Sequence, residues 1–187
     1  LERGKRLTEI LKQGQYQPLN VIDEVLTEGV TSRLYSTLVR DKRLAASVLS
    51  DTNYPGVRAP NLFVIAATPL APHSVTEVET AIYEELDRLK TEPISAKEFE
   101  RVLNGLDADL VRSLRSNSGL ASQLAFYQTV AGTWRYVLNA RDRIAAVTPA
   151  DVQRVAAQYL TKPNRTVGVL VKKAQDKKMA AAGEVAR

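Results

Sequence analysis

The chain has 187 residues, 44% of them apolar and 25% charged, a composition that supports one globular domain with a real core. The absence of cysteine excludes disulfides, thiolate metal sites and cysteine nucleophiles, and no apolar run approaches the roughly 20 residues of a membrane span. The net charge of +5 is concentrated in Arg40, Lys42 and Arg43 and in Lys172, Lys173, Lys177 and Lys178, with no interleaved aromatic platforms, which favours a solvated basic face over a nucleic-acid site.

Leu1 to Arg6 carry charge where a signal peptide would need its apolar core, there is no initiator methionine, and the whole segment from Leu1 to Gln17 is polar. It reads as a linker or truncated domain entry, and the chain as a piece of a longer protein. Leu19, Ile22, Val25, Leu26, Leu34 and Leu38 recur at helical spacing, so a helix is predicted over 19–39, with Gly29 as a kink or short loop between its halves. Leu44 to Ser50 and Leu62 to Thr68 read as strands. The turn signal Asn53-Tyr54-Pro55-Gly56 between them makes a hairpin or neighbouring antiparallel pair.

Ser74 and Glu77 have capping-box spacing and open a helix with Val75, Val78, Ile82 and Leu89 on its apolar stripe; Glu92-Pro93 closes it. Ser95 and Glu98 repeat the box ahead of a helix with Phe99, Val102, Leu103, Leu106, Leu110 and Leu114 on its inner face. A break at Ser116 to Gly119 precedes helices over 120–130 and 136–146. Thr148-Pro149-Ala150-Asp151 starts another that runs to about Leu160. Arg165 to Val171, rich in β-branched residues, is predicted as a last strand that rejoins the sheet. The alanine- and lysine-rich residues 173–187 read as a loose basic tail. The fold class is therefore α+β: a mostly antiparallel sheet with helices packed on one face.

A self-contained active site is not readable in the chain. The single histidine, His73, stands outside His-x-x-Glu-His and His-Glu-x-x-His spacing and reads as a loop residue beside a helix cap. Glu84, Glu85 and Asp87 read as a solvated helix face, as do Asp107 and Asp109; carboxylates alone make a poor zinc site. No serine lies in Gly-x-Ser-x-Gly, and no phosphate-binding glycine motif occurs. Trp134 and Tyr136 read as core or interface packing.

The stretch from Leu26 to Val48, with Ser32-Arg33-Leu34-Tyr35, Val39-Arg40-Asp41-Lys42 and Leu44-Ala45-Ala46-Ser47-Val48, resembles the C-terminal half-domain of pitrilysin/insulinase-type zinc peptidases and mitochondrial processing peptidases. The likeness continues through Phe63 to Ala67, Leu89, Glu92-Pro93-Ile94-Ser95, the Glu98 helix and Val147 to Val152. It covers roughly Leu19 to Lys172, in the family's order.

The resemblance implies a metallohydrolase half-domain over 18–172, flanked by the linker 1–17 and the tail 173–187. It implies zinc held by a missing N-terminal half or partner chain, with no cofactor, no metal and no catalytic residue in this chain. The partners it implies are that half and a peptide substrate, without nucleic acid or a membrane span. Arg40 aligns with the family arginine that contacts the substrate backbone. Ala46 stands where the family has a tyrosine, whose phenol would help stabilise the tetrahedral oxyanion; losing one such donor costs about 2.7–4 kcal/mol of barrier. The implied function is a substrate-clamping half of a zinc endopeptidase; the alternative is a non-catalytic scaffold or partner subunit. Arg33 reads as structural. The compartment is left open, the bacterial periplasm being favoured over the cytoplasm.

Overall fold

The computed structural model describes residues 16–56 and 61–171, so the tail 173–187 and all of the predicted linker except Tyr16 and Gln17 lie outside the described residues. Helix α1 is Tyr16–Thr27. Its Leu19, Ile22, Val25 and Leu26 are buried together with Val21, as the 3.6-residue period requires. Gly29 takes φ +78°, a left-handed conformation that ends a right-handed helix and that glycine adopts without a Cβ clash. The predicted span 19–39 is thus two helical pieces. The turn between them is closed by Ser32, whose backbone N–H and side-chain hydroxyl both donate to the Gly29 carbonyl, at 3.1 and 2.7 Å. The second piece continues as a π-helix over Tyr35–Asp41, and Leu34 and Leu38 are fully buried against the same core.

Strands β1 (Ala45–Tyr54) and β2 (Leu62–Pro69) pair antiparallel, with Val48 opposite Ala67 and Ser50 opposite Ile65. Val48, Phe63, Ile65 and Ala67 turn inward onto the helices, whereas Leu49 and Leu62 are exposed on the other face. Ala45 and Val48 both face the core although they are three residues apart, which strict alternation forbids. A bulge between Ala45 and Ser47 resolves the conflict, because Ala45 pairs with Pro69 and Ser47 with the adjacent Thr68.

Helix α2 is Val75–Thr91, with the capping box complete: Ser74 accepts from the Glu77 N–H, and Glu77 accepts from the Ser74 N–H at 2.7 Å. Helix α3 is Ala96–Leu114. Ser95 caps it, but Glu98 does not reach back; its carboxylate is taken by Arg33, so the second predicted box is half formed. Helix α4 (Asn117–Val130) begins inside the predicted break, because the Ser116 hydroxyl accepts from the Gly119 N–H at 3.0 Å. A Cβ on Gly119 would collide with the Ser113 carbonyl oxygen, so the tight reversal between α3 and α4 needs glycine there. The predicted helix over 136–146 is a 3₁₀ turn, Trp134–Asn139, followed by α5, Ala140–Ala145. Helix α6 (Pro149–Tyr159) has the Thr148–Asp151 capping box and proline in its first turn.

One predicted element is not formed among the described residues. Residues 165–171 pair with no described strand, and the sheet among the described residues has two strands. The chain leaves α6 through a 3₁₀ turn, Lys162–Asn164, and Arg165 sets its guanidinium 3.8 Å over the Tyr83 ring of α2. Beyond it the segment is exposed, Leu170 to 98%. Strand preference reflects fit to a pleated, half-buried surface, and this exposed segment offers no such fit among the described residues. The α+β plan stands nonetheless: a small antiparallel sheet carries α1, the π-helix and the remaining helices on one face.

Candidate functional site

The stretch from Ser32 to Val48 departs from regular backbone geometry three times. First, the π-helix closes with a bond five residues long, from the Lys42 N–H to the Thr37 carbonyl at 3.0 Å. Such turns insert one extra residue and are frequent at functional sites. Second, Arg43 has φ +51°, a left-handed conformation that costs a non-glycine residue on the order of 1 kcal/mol. Third, the β1 bulge leaves Ala46 unpaired and exposed.

The inner side of this stretch is tied down. Arg33 makes a bidentate pair with Glu98 of α3, Nε to Oε1 at 2.9 Å and Nη2 to Oε2 at 2.8 Å. Thr37 donates to Glu85 of α2 at 3.0 Å, and Glu85 also accepts from Arg88 at 3.0 Å. Glu85 is only 5% exposed, which corrects its assignment to a solvated face. Glu84 and Asp87 do keep to that face, paired with Lys42 and Lys90.

Arg40 behaves differently. Its side chain is 55% exposed at the last turn of the π-helix and forks onto the adjacent Asp41, at 2.7 and 3.0 Å. The hydrogen bond from Arg40 holds the Asp41 carboxyl below its ordinary range. A surface pair between neighbours is exchanged readily with solvent or a ligand.

The metal-ligating residue types do not converge. His73 Nδ1 lies 3.4 Å from Glu77, whose carboxyl is held low by hydrogen bonds from Ser74. Asp107 pairs with Arg141, and Asp109 with Arg112. Among the described residues no three His, Cys, Asp or Glu side chains gather as metal ligands would. This donor set does not fit zinc, and no step of this chain's chemistry is routed through one. Tyr136 is buried, stacked on Tyr127 with centroids 4.8 Å apart; Trp134 stays partly exposed.

The Arg33–Glu98 pair joins residues 65 apart and has no local signature. Glu85 does have one: it falls between Val78, Ala81 and Leu89 on the apolar stripe of α2, where a carboxylate must find a partner.

A model of the family described as the peptidase M16 inactive domain matches residues 6–106, more than half of the chain. The chain belongs to that family. It is an inactive C-terminal domain of the zinc protease family. No curated protein matches the sequence. Among solved structures, a chain from Bordetella pertussis Tohama I described as a zinc protease is 25% identical, with a TM-score of 0.75 over 86% of each chain. The inactive peptidase domain of such a protein from Bordetella parapertussis is 24% identical, with a TM-score of 0.75 over 87% of each chain. A protease from Helicobacter pylori is 24% identical, with a TM-score of 0.72; the match covers 79% of this chain and 35% of that one. This M16 domain thus spans about a third of the Helicobacter protein, and nearly the whole of the Bordetella domains. No helix among its described residues is long and apolar enough to cross a membrane.

Proposed function

We propose that this M16 domain is the metal-free half of a zinc endopeptidase, closing on a peptide held between it and a zinc-bearing N-terminal half, with residues 18–172 as the clamping unit. The observation that carries the reading is Arg40: an exposed guanidinium fork on a helical segment anchored from behind by Glu85 and Glu98, paired among the described residues with the adjacent Asp41. Its five donors suit the carbonyls of an extended peptide, and exchanging an exposed carboxylate for substrate costs little. Bond cleavage belongs to the other half.

The test is reconstitution of this chain with a zinc-bearing half and an unfolded peptide substrate. Arg40→Ala is expected to lower kcat/KM by about 10- to 100-fold, the worth of a charge-assisted hydrogen bond, while the melting curve stays unchanged. An unchanged rate removes Arg40 from the clamp.

A second reading, a non-catalytic scaffold or partner subunit, has its own observation in Ala46. A methyl group occupies the exposed bulge position at which the resemblance expects a phenol. A reconstituted assembly that binds peptide without cleaving it, and regains cleavage with Ala46→Tyr, supports that reading.

A further inference from the structure

From Leu110 to Arg141 the chain has no acidic residue at all; the 21 aspartates and glutamates lie elsewhere, while Arg112, Arg115, Arg135 and Arg141 fall inside. Helix α4 lies within this stretch and carries no charge. The 3₁₀ turn packs beside it, and together they leave Leu120, Trp134 and Leu138 exposed, Leu138 to 66%. Between them is an open cavity of about 380 Å³ lined by Leu124, Ala125, Gln128 and Trp134.

The cavity wall is built rather than accidental. Gln128 accepts from the Trp134 N–H at 3.0 Å and donates to the Gly132 carbonyl at 3.3 Å, which fixes the indole-bearing turn against α4. Arg112 and Arg141 are neutralised by Asp109 and Asp107 of α3. Arg115 and Arg135 have no carboxylate partner among the described residues, and Arg135 lies 4.8 Å over the Trp134 ring. They bracket α4, whose 14 residues make the interval about 20 Å.

We propose that this face docks an acidic segment of a partner polypeptide, one that inserts a large apolar side chain beside Trp134 and sets carboxylates against Arg115 and Arg135. Charge complementarity selects this occupant. A second copy paired about a two-fold axis perpendicular to α4 would bring Arg115 of one chain toward Arg135 of the other, a like-charge contact. A helix that lies on a membrane is strongly amphipathic and rich in Lys or Arg on its polar face, whereas α4 is weakly amphipathic and carries no charge. The surface lies outside the Ser32–Val48 stretch, and the proposal does not rest on the clamp reading.

The probe is a fluorescein-labelled peptide, Glu-Glu-Ser-Ser-Phe-Ser-Ser-Glu-Glu, whose acidic ends are about 20 Å apart when extended. In fluorescence anisotropy with the full chain, saturable binding is expected. It should be about tenfold tighter than for the peptide with lysine in place of glutamate, and should weaken with salt. Ala125→Arg, on an exposed helix position, fills the cavity and should abolish binding without changing the melting curve. Arg115→Glu with Arg135→Glu should reverse the preference toward the lysine peptide. Absence of saturable binding, equal affinity for the two peptides, or indifference to Ala125→Arg overturns the proposal. So does tighter binding to phosphatidylglycerol vesicles than to the peptide, or a concentration-dependent dimer that Ala125→Arg disperses.

Discussion

Arg33 and Arg40 lie seven residues apart on one helical segment, and the fold treats them oppositely. Arg33 is 15% exposed and forks onto Glu98, 65 residues away. Arg40 is 55% exposed and forks onto its own neighbour. The same chemistry serves two ends: near the core it joins α3 to the turn of helix before the π-helix, and at the surface it leaves a cation available. The regularity of the backbone follows the division, since the irregular features, the π turn, Arg43 and the Ala46 bulge, lie on the Arg40 side. Strain of this kind persists only where surrounding packing over-determines it, and Leu34 and Leu38, fully buried, supply that packing.

The sharpest way to break the comparison is to remove the inner arginine. Arg33→Ala leaves the Glu98 carboxylate, 20% exposed, without its bidentate partner. The expected loss is about 2 kcal/mol, between the cost of breaking a fully buried pair and that of a surface pair. Urea denaturation followed by circular dichroism measures it; a loss no larger than that of Arg40→Ala would show that the two arginines are equivalent.

A carboxylate sharpens the same contrast. Glu98 found its arginine, whereas Glu24 of α1 is pressed toward Gly105 of α3 and its carboxyl is pushed up to about 7, chiefly by burial and then by Glu28, Asp109 and Asp23; Arg101 only partly offsets them. Its ordinary value is 4.5. Between about pH 4.5 and 7 the folded chain therefore holds a proton that the unfolded chain has released, so stability falls as pH rises through that window and levels off above it. For this half-exposed group the expected span is about 1 kcal/mol after solvent screening. The thermal midpoint should rise between pH 8 and pH 5, and Glu24→Gln should raise it at pH 8 and flatten the slope. A slope unchanged in the variant would assign it to Asp23, whose carboxyl burial also raises.

These contrasts also mark what was legible beforehand. Helix starts were, because a cap is a local pattern: Ser74, Ser95 and Thr148 each accept the N–H that their spacing promised. The hairpin was legible from two apolar runs and a turn. What failed was decided at a distance. The reciprocal half of the Ser95 cap was lost because Glu98 met Arg33, and the strand expected over 165–171 pairs with no described strand. The exposed position of Arg40 could not be read from spacing, but the motif that singled it out could.

The smallest expected effect concerns that residue. Arg40→Ala removes a pair between adjacent, solvated side chains, so nothing in the core is left unpaired and the conformational constraint lost is local. Its melting curve should superimpose on that of the parent chain. This silence is informative because the neighbouring backbone is strained: if Arg40 held the π-helix end in place, its loss would release Arg43 from φ +51° and shift the unfolding transition. A superimposable curve together with a lowered rate in the reconstituted protease assigns Arg40 to substrate. A shifted curve assigns it, like Arg33, to the fold.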